Sequence, residues 1–314
     1  MQDALNDLEG ARILGHKQAA LLRRIYSRKL FSVHWEVRLL LYAGILILTT
    51  GLGLLIAKHF AAIGHLALLA AIALGCAGCF AYCLRRGGGF TADQIKAPDA
   101  AYDYILFLGC LLLGTLQGYL ELRYQLLARD WSWWLLASGL LYLLAAHYFD
   151  NRLVLSLALS TLGAWLGVKM TILGGGMWEG ALRSNALGYG ALIVAAGAVQ
   201  VRLKWKVHFL PVHLHLGLNL LLAALLTGIG SRSSGLPYLA GLLLVAAGSA
   251  LYAQRSRSFA FLLYAVLYGY LGVTVFILNR GHWDIEGILL YFLITAVALV
   301  TALVAFHRRF RSAE

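Results

Sequence analysis

Polar side chains that interrupt long apolar stretches are the first places to look for chemistry in this chain. Pro211-Val212-His213-Leu214-His215 is followed within the same stretch by Asn219. His215 and Asn219 stand four apart and share a helix face with Pro211, while His213 points elsewhere. A proline leaves the carbonyl one turn upstream without its amide partner. An imidazole, an amide and a freed carbonyl on one face are the parts of a proton relay or a substrate-binding face. The same groups also serve plain interhelical hydrogen bonding, worth roughly 0.6 kcal/mol on average in a membrane. Because His213 turns away from His215, a two-histidine metal site built from this stretch alone is not expected. Gln117 and Glu121 repeat the four-residue spacing. Glu121 can hold a cation or a proton, or it can pair with Arg123.

A third set of candidates lies between apolar runs. Asp130-Trp131-Ser132-Trp133-Trp134, Gly174-Gly175-Gly176-Met177-Trp178-Glu179-Gly180 and Arg280-Gly281-His282-Trp283-Asp284-Ile285-Glu286 are rich in aromatic and charged residues. Tryptophan at headgroup level is general among membrane proteins. If these loops meet, Trp178, Glu179, His282, Trp283 and Asp284 line an outward vestibule. No Gly-Lys-Ser/Thr follows the glycines, so they do not form a phosphate loop. Cys76, Cys79 and Cys83 fall on one helical face, and Cys110 lies in the next apolar run. In a lipid-embedded helix such small residues serve close packing, as do Gly44/Gly51, Gly163/Gly167 and Ala186/Gly190. Neither an HExxH nor a GxSxG motif is present, so no catalytic residue, cofactor or metal is assigned and an enzymatic role is not favoured.

The elements that must hold these residues follow from composition. Of the 314 residues 61% are apolar and 13% charged, against roughly 25% charged in soluble domains. A water-soluble fold of this length cannot hide so much apolar surface, whereas a bilayer accepts it. Ten apolar runs, near 37–57, 61–83, 103–121, 131–149, 152–172, 183–201, 208–229, 236–254, 259–279 and 285–306, each approach the ~20 residues that cross ~30 Å of hydrocarbon as a helix. They lack the alternation of a barrel strand. The expected fold is therefore all-α, a polytopic transmembrane bundle over residues 37–306. A cytosolic helical segment over 1–36 precedes it, and a basic tail over 307–314 follows.

The 26 Lys and Arg outnumber 14 Asp and Glu, yet they punctuate the apolar runs instead of clustering on one solvated face, which excludes a nucleic-acid partner. With ten spans, one side collects 19 of the 26, among them Arg85, Arg86, Arg152, Lys204, Lys206, Arg255 and both terminal groups. The positive-inside rule puts that side, and both termini, in the cytosol. The termini decide this, since they hold ten of the 19 and the remaining nine face seven on the other side. Two stretches echo one another: Arg152, Leu162 and Leu166-Gly167-Val168 recur at a constant offset as Arg257, Leu267 and Leu271-Gly272-Val273. Gly190 and Gly197 likewise recur as Gly241 and Gly248.

Leu8-Glu9-Gly10, Leu14-Gly15-His16-Lys17-Gln18 and the glycine-bearing run Leu41-Tyr42-Ala43-Gly44 to Gly51-Leu52-Gly53-Leu54-Leu55-Ile56-Ala57 resemble a bacterial membrane family, domain of unknown function 2157. Where that family's first span ends in Asn-Trp, this chain has Lys58-His59-Phe60. The resemblance implies a multi-pass protein of a bacterial inner membrane with a short cytosolic module, and it carries over no site residue. Two functions are expected from the residues. One is transport or binding of a small molecule or lipid through a polar interior around His215, Asn219, Gln117 and Glu121. The alternative is a scaffold that recruits protein partners through its amino-terminal segment.

Overall fold

A computed structural model describes residues 34–295, except 64, 92–93, 95–97, 100, 128–129, 175–179, 231–234 and 282, with backbone alone for 34–38, 56–63 and 170–174. Residues 1–33 of the expected amino-terminal segment and the whole basic tail lie outside these residues, as do Trp178, Glu179 and His282. Every regular element among the described residues is helical. The chain divides into two units, residues 1–68 and 69–314.

The first unit is built on α1 (His34–Ile63). At 1.5 Å per residue its 30 residues run about 45 Å, more than the ~30 Å hydrocarbon thickness. Thr49 and Thr50 meet the apolar environment by turning their hydroxyls back on Ile45 and Leu46 carbonyls.

The second unit contains most of α2 (His65–Arg86), then α3 (Tyr102–Tyr124), α4 (Ser132–Tyr148), α5 (Arg152–Gly174), α6 (Ala181–Arg202), α7 (Leu210–Ile229), α8 (Gly235–Ser256) and α9 (Phe259–Arg280). A shorter apolar helix, α10, covers Ile285–Thr295. Among the described residues, seven helices are long and apolar enough to cross a bilayer. The 17 residues of α4 fall just short by length. This is an all-α integral membrane protein with many apolar helices. Its outer faces carry leucines such as Leu122, Leu144 and Leu244, each at least two-thirds exposed, which is stable only against hydrocarbon.

Consecutive helices pair most intimately as α4–α5, α6–α7 and α8–α9, each joined by a short connection. With no hydrophobic drive between helices inside lipid, such pairs rest on close approach and interhelical hydrogen bonds. The α6–α7 crossing shows the first. A Cβ on Gly217 would stand 2.6 Å from Val194 Cγ2 and 3.0 Å from the Gly190 carbonyl, and one on Gly197 would stand 2.8 Å from His213 Cβ. Tyrosine hydroxyls supply the second. Tyr142 donates to the Cys110 carbonyl at 2.7 Å and Tyr189 to that of Leu159 at 2.6 Å. Each thereby links two neighbouring helices.

The small residues of α2 pack as read. Cys83 and Cys110 are fully buried, Cys76 Sγ lies 3.5 Å from the Gly109 carbonyl, and all four thiols are free. Gly163 meets Tyr189, whereas among the described residues nothing stands within 4 Å of a Cβ on Gly44, Gly51 or Gly167, so these three show no close helix approach. The two echoed stretches occupy α5 and α9. Arg152 is the first residue of α5, while Arg257 sits in a left-handed turn (φ 50°) ahead of α9.

Candidate functional site

Four of the expected site residues form two separate groups. Gln117 and Glu121 lie on α3 facing α4. Gln117 is buried and accepts a hydrogen bond from Ser138. Glu121 does not pair with Arg123. Its Oε2 accepts from Trp134 Nε1 and from the Leu127 amide, each at 2.9 Å. Both residues line a cavity of about 610 Å³. On α7, His215 stacks on Phe261 at 4.6 Å and bonds through Nδ1 to the Tyr264 hydroxyl at 3.0 Å. Asn219 donates to the His215 carbonyl and accepts from the Tyr268 hydroxyl at 3.2 Å. The partners of this face are therefore tyrosines of α9. Asn219 and Tyr268 also line a cavity of about 600 Å³ between α5, α6 and α7. Of the expected vestibule, Trp283 and Asp284 are described, and both are exposed just ahead of α10.

Pro211 stands in the first turn of α7, where a missing amide hydrogen is harmless. The carbonyl it would have orphaned, that of Val207, instead accepts from the Leu210 amide as a 3₁₀ turn closes over Val207–Phe209.

The most developed polar arrangement lies at the connections α4–α5 and α6–α7. Lys206 is completely buried, and its ammonium bonds Asp150 Oδ1 at 2.9 Å. His208 Nε2 meets the same oxygen at 2.6 Å. Phe90 covers the ammonium at 5.6 Å. Asp150, Lys204 and Lys206 all adopt left-handed backbone, with φ of 58°, 53° and 49°. Each such position costs a non-glycine residue roughly 1–2 kcal/mol, so the contacts around it must hold it there. Asn151 caps α5 by accepting the Leu153 and Val154 amides, and its own amide reaches Asp103 at the start of α3. The two connections are thus clamped to one another and to α3.

This clamp places Trp205 against His147, rings stacked 5.0 Å apart. His147 Nδ1 lies 2.9 Å from the Leu143 carbonyl, one turn back, and Nε2 lies 3.2 Å from Gln200 Nε2. A neutral ring meets both contacts, donating from Nδ1 and accepting at Nε2. The Gln200 amide then donates to the ring, and its buried Oε1 has no partner among the described residues. His213 is buried beside it and is anchored through Nδ1 to the Phe209 carbonyl at 3.0 Å. The close approach allowed by Gly197 brings it there.

These groups form the polar end of a cavity of about 990 Å³. The rest of its wall is apolar, and exposed Leu84, Leu144 and Leu192 stand at its edge. Tyr189 and Gln200 both line it, and at 1.5 Å per residue they lie about 16 Å apart along α6, close to half the thickness of the hydrocarbon core. The smaller cavity beside Asn219 shares Leu159, Tyr189 and Ile193 with it. Among the described residues no three His, Cys, Asp or Glu side chains converge as a metal site would require.

Two loop carboxylates on other connections are held below the ordinary carboxylate range. The Tyr82 hydroxyl and the amides of Tyr102 and Ala101 lower Asp99. The Lys169 ammonium, with Ser132, lowers Asp130.

Sequence reading reached His215, Asn219, Gln117 and Glu121 because each pair lies within one helix at one-turn spacing. It passed over Asp150, Lys206, His147 and Gln200, whose partners are more than 50 residues away. The usable signal was a lysine and an aspartate at two connections assigned to the same membrane side.

No curated protein and no solved structure matches the chain. Its amino-terminal part, residues 6–155, matches the family of predicted membrane proteins DUF2157.

Proposed function

We propose that the protein binds a lipid or lipid-like small molecule within the membrane and moves it between two adjoining cavities. The observation that carries this reading is the 990 Å³ cavity, with apolar walls, a lipid-facing edge and one polar end. Ligand sites are typically of this size and this mixture, a mostly apolar wall with a few placed polar groups. Its wall of Leu159, Tyr189 and Ile193 is shared with the second cavity, where Asn219 and Tyr268 supply further polar contacts. Tyr189 is the movable part of that wall, since a single hydrogen bond to the Leu159 carbonyl ties its hydroxyl. We assign His215, Asn219, Gln117 and Glu121 to secondary polar contacts, with Trp178, Glu179, His282 and Asp284 as an outer mouth.

The reading takes the chain as crossing a bacterial inner membrane ten times with both termini in the cytosol. Lys and Arg distribution supports that orientation. The clamp of Asp150 and Lys206 then lies at the cytosolic end, and the large cavity opens into the inner leaflet.

Native mass spectrometry of the full chain, extracted from its membrane in mild detergent, tests the binding. Wild type should carry a lipid-sized adduct, and Ala196→Trp, which fills the cavity from an exposed α6 position, should lose it. An adduct equally retained by Ala196→Trp would remove the large cavity as the site.

A further inference from the structure

The polar end of the large cavity is selective in a way its size alone does not reveal. Gln200 is 7% exposed, and its Oε1 is buried without a partner, although its Nε2 is engaged by His147. An unpaired buried acceptor is destabilising, and few such groups persist in native proteins without a reason. The neighbouring His213 donates from Nδ1 to Phe209, so in the neutral ring its Nε2 is also an acceptor. The open polar atoms of Gln200 and His213 at this end are thus acceptors, with the Trp205 indole N–H a donor beside them. A carboxylate or phosphate, which only accepts, would meet them unfavourably. An ammonium donates, but it is a charge that needs a counter-charge in so apolar a wall. The carboxylate of the adjoining clamp, Asp150, already faces Lys206 and His208.

We infer that the cavity takes a neutral long-chain alcohol, its hydroxyl donating to Gln200 Oε1 and its chain lying along the apolar wall toward Tyr189. The inference rests on the binding reading above and adds the head-group chemistry to it. A second hydroxyl, as in a monoacylglycerol, also satisfies His213 Nε2. Trp205, stacked on His147 at the same end, closes the site beside the head group. The length between Gln200 and Tyr189 suits a chain that spans one leaflet.

Three probes with the same oleoyl chain separate the possibilities: 1-oleoylglycerol, methyl oleate and oleate. Binding of each to the full chain in phosphatidylcholine nanodiscs is measured with radiolabelled probe at pH 8. Wild type should bind 1-oleoylglycerol at least tenfold more tightly than methyl oleate, which lacks a donor, and than oleate. Gln200→Leu should lose about tenfold for 1-oleoylglycerol, as expected for one hydrogen bond to a buried acceptor, and should leave methyl oleate unchanged. Ala196→Trp should abolish binding of all three. The rank order in wild type needs no variant, so misfolding of Gln200→Leu leaves the inference testable.

If Ala196→Trp blocks all three but wild type binds them alike, the head-group inference fails and the binding site stands. Tighter binding of oleate overturns the inference in the same way. If Ala196→Trp changes nothing, the cavity is not the site and both readings fall. A dimer that dissociates in Ala196→Trp and ignores every probe would show a second copy of the chain filling the cavity, and would also overturn both.

Discussion

Removing the Lys206 ammonium tests whether the two connections are held by charge. At 2.9 Å the attraction between two unit charges is about 6 kcal/mol at an effective dielectric of about 20. Desolvation offsets much of this, because Lys206 and Asp150 side chains are 0% and 1% exposed and each buried ion costs several kcal/mol. The net worth of the pair against an apolar replacement is therefore small. The loss on breaking it is not, since Lys206→Met leaves the Asp150 carboxylate buried and short of a cation. The expected cost is about 3–5 kcal/mol. Asp150→Asn in the same chain removes the stranded charge and tolerates the left-handed backbone at that position. Lys206→Met/Asp150→Asn should recover at least half of the loss.

His208 adds a sign that a general packing defect would not produce. It contacts the same carboxylate oxygen as Lys206, so a protonated imidazole can replace the missing cation. The Lys206→Met deficit should shrink between pH 8 and pH 5.5 as the imidazole takes up a proton, and this recovery should vanish in Lys206→Met/His208→Phe. Equilibrium unfolding in mixed micelles, followed by far-ultraviolet circular dichroism at both pH values, gives all of these differences. A Lys206→Met cost under 1 kcal/mol, or a double variant no better than the single one, would refute the account of a charge-held clamp.

Three further outcomes follow from the packing and the loops. Gly217→Ala should destabilise by about 1–3 kcal/mol, since its Cβ meets Val194 at 2.6 Å; Gly167→Ala, with nothing within 4 Å, should be neutral or stabilise by up to about 1 kcal/mol. The same micelle titration reads both, and equal effects would contradict the assigned helix crossing. Tyr142→Phe should cost about 0.6–1.5 kcal/mol by losing the bond to the Cys110 carbonyl, and wild-type stability in that variant would show the bond to be idle. Because Asp130 titrates below its unfolded value, its contribution is complete above about pH 4 and is lost as pH falls through the depressed value. Asp130→Asn should therefore flatten the acid limb of melting temperature against pH, and an unchanged limb would assign acid loss to other groups.

How far these features could be read from the chain depends on whether they are periodic. Apolar runs of nearly span length predict α2 through α9 to within four residues at each end, because in lipid a helix must satisfy its own backbone along its whole length. Polar pairs one turn apart, such as His215 with Asn219 and Gln117 with Glu121, are equally visible, since a single helix sets their geometry. Their partners are not. Tyr264, Tyr268, Ser138 and Trp134 sit on other helices, and their identity depends on packing that no local pattern encodes. The clamp at Asp150 and Lys206 is further removed from any one-dimensional signal. Its residues occupy left-handed turns where a glycine or asparagine would have announced the geometry. A lysine in a connection reads as a topology charge, and Lys206 counts as one in the orientation argument although it is sealed from solvent. Burying that charge makes sense only once Asp150 is known to lie 2.9 Å away. The same holds for the ligand site: Gln200 is ordinary in sequence, and only the position of His147 on a neighbouring helix turns its carbonyl oxygen into an acceptor that waits for a donor.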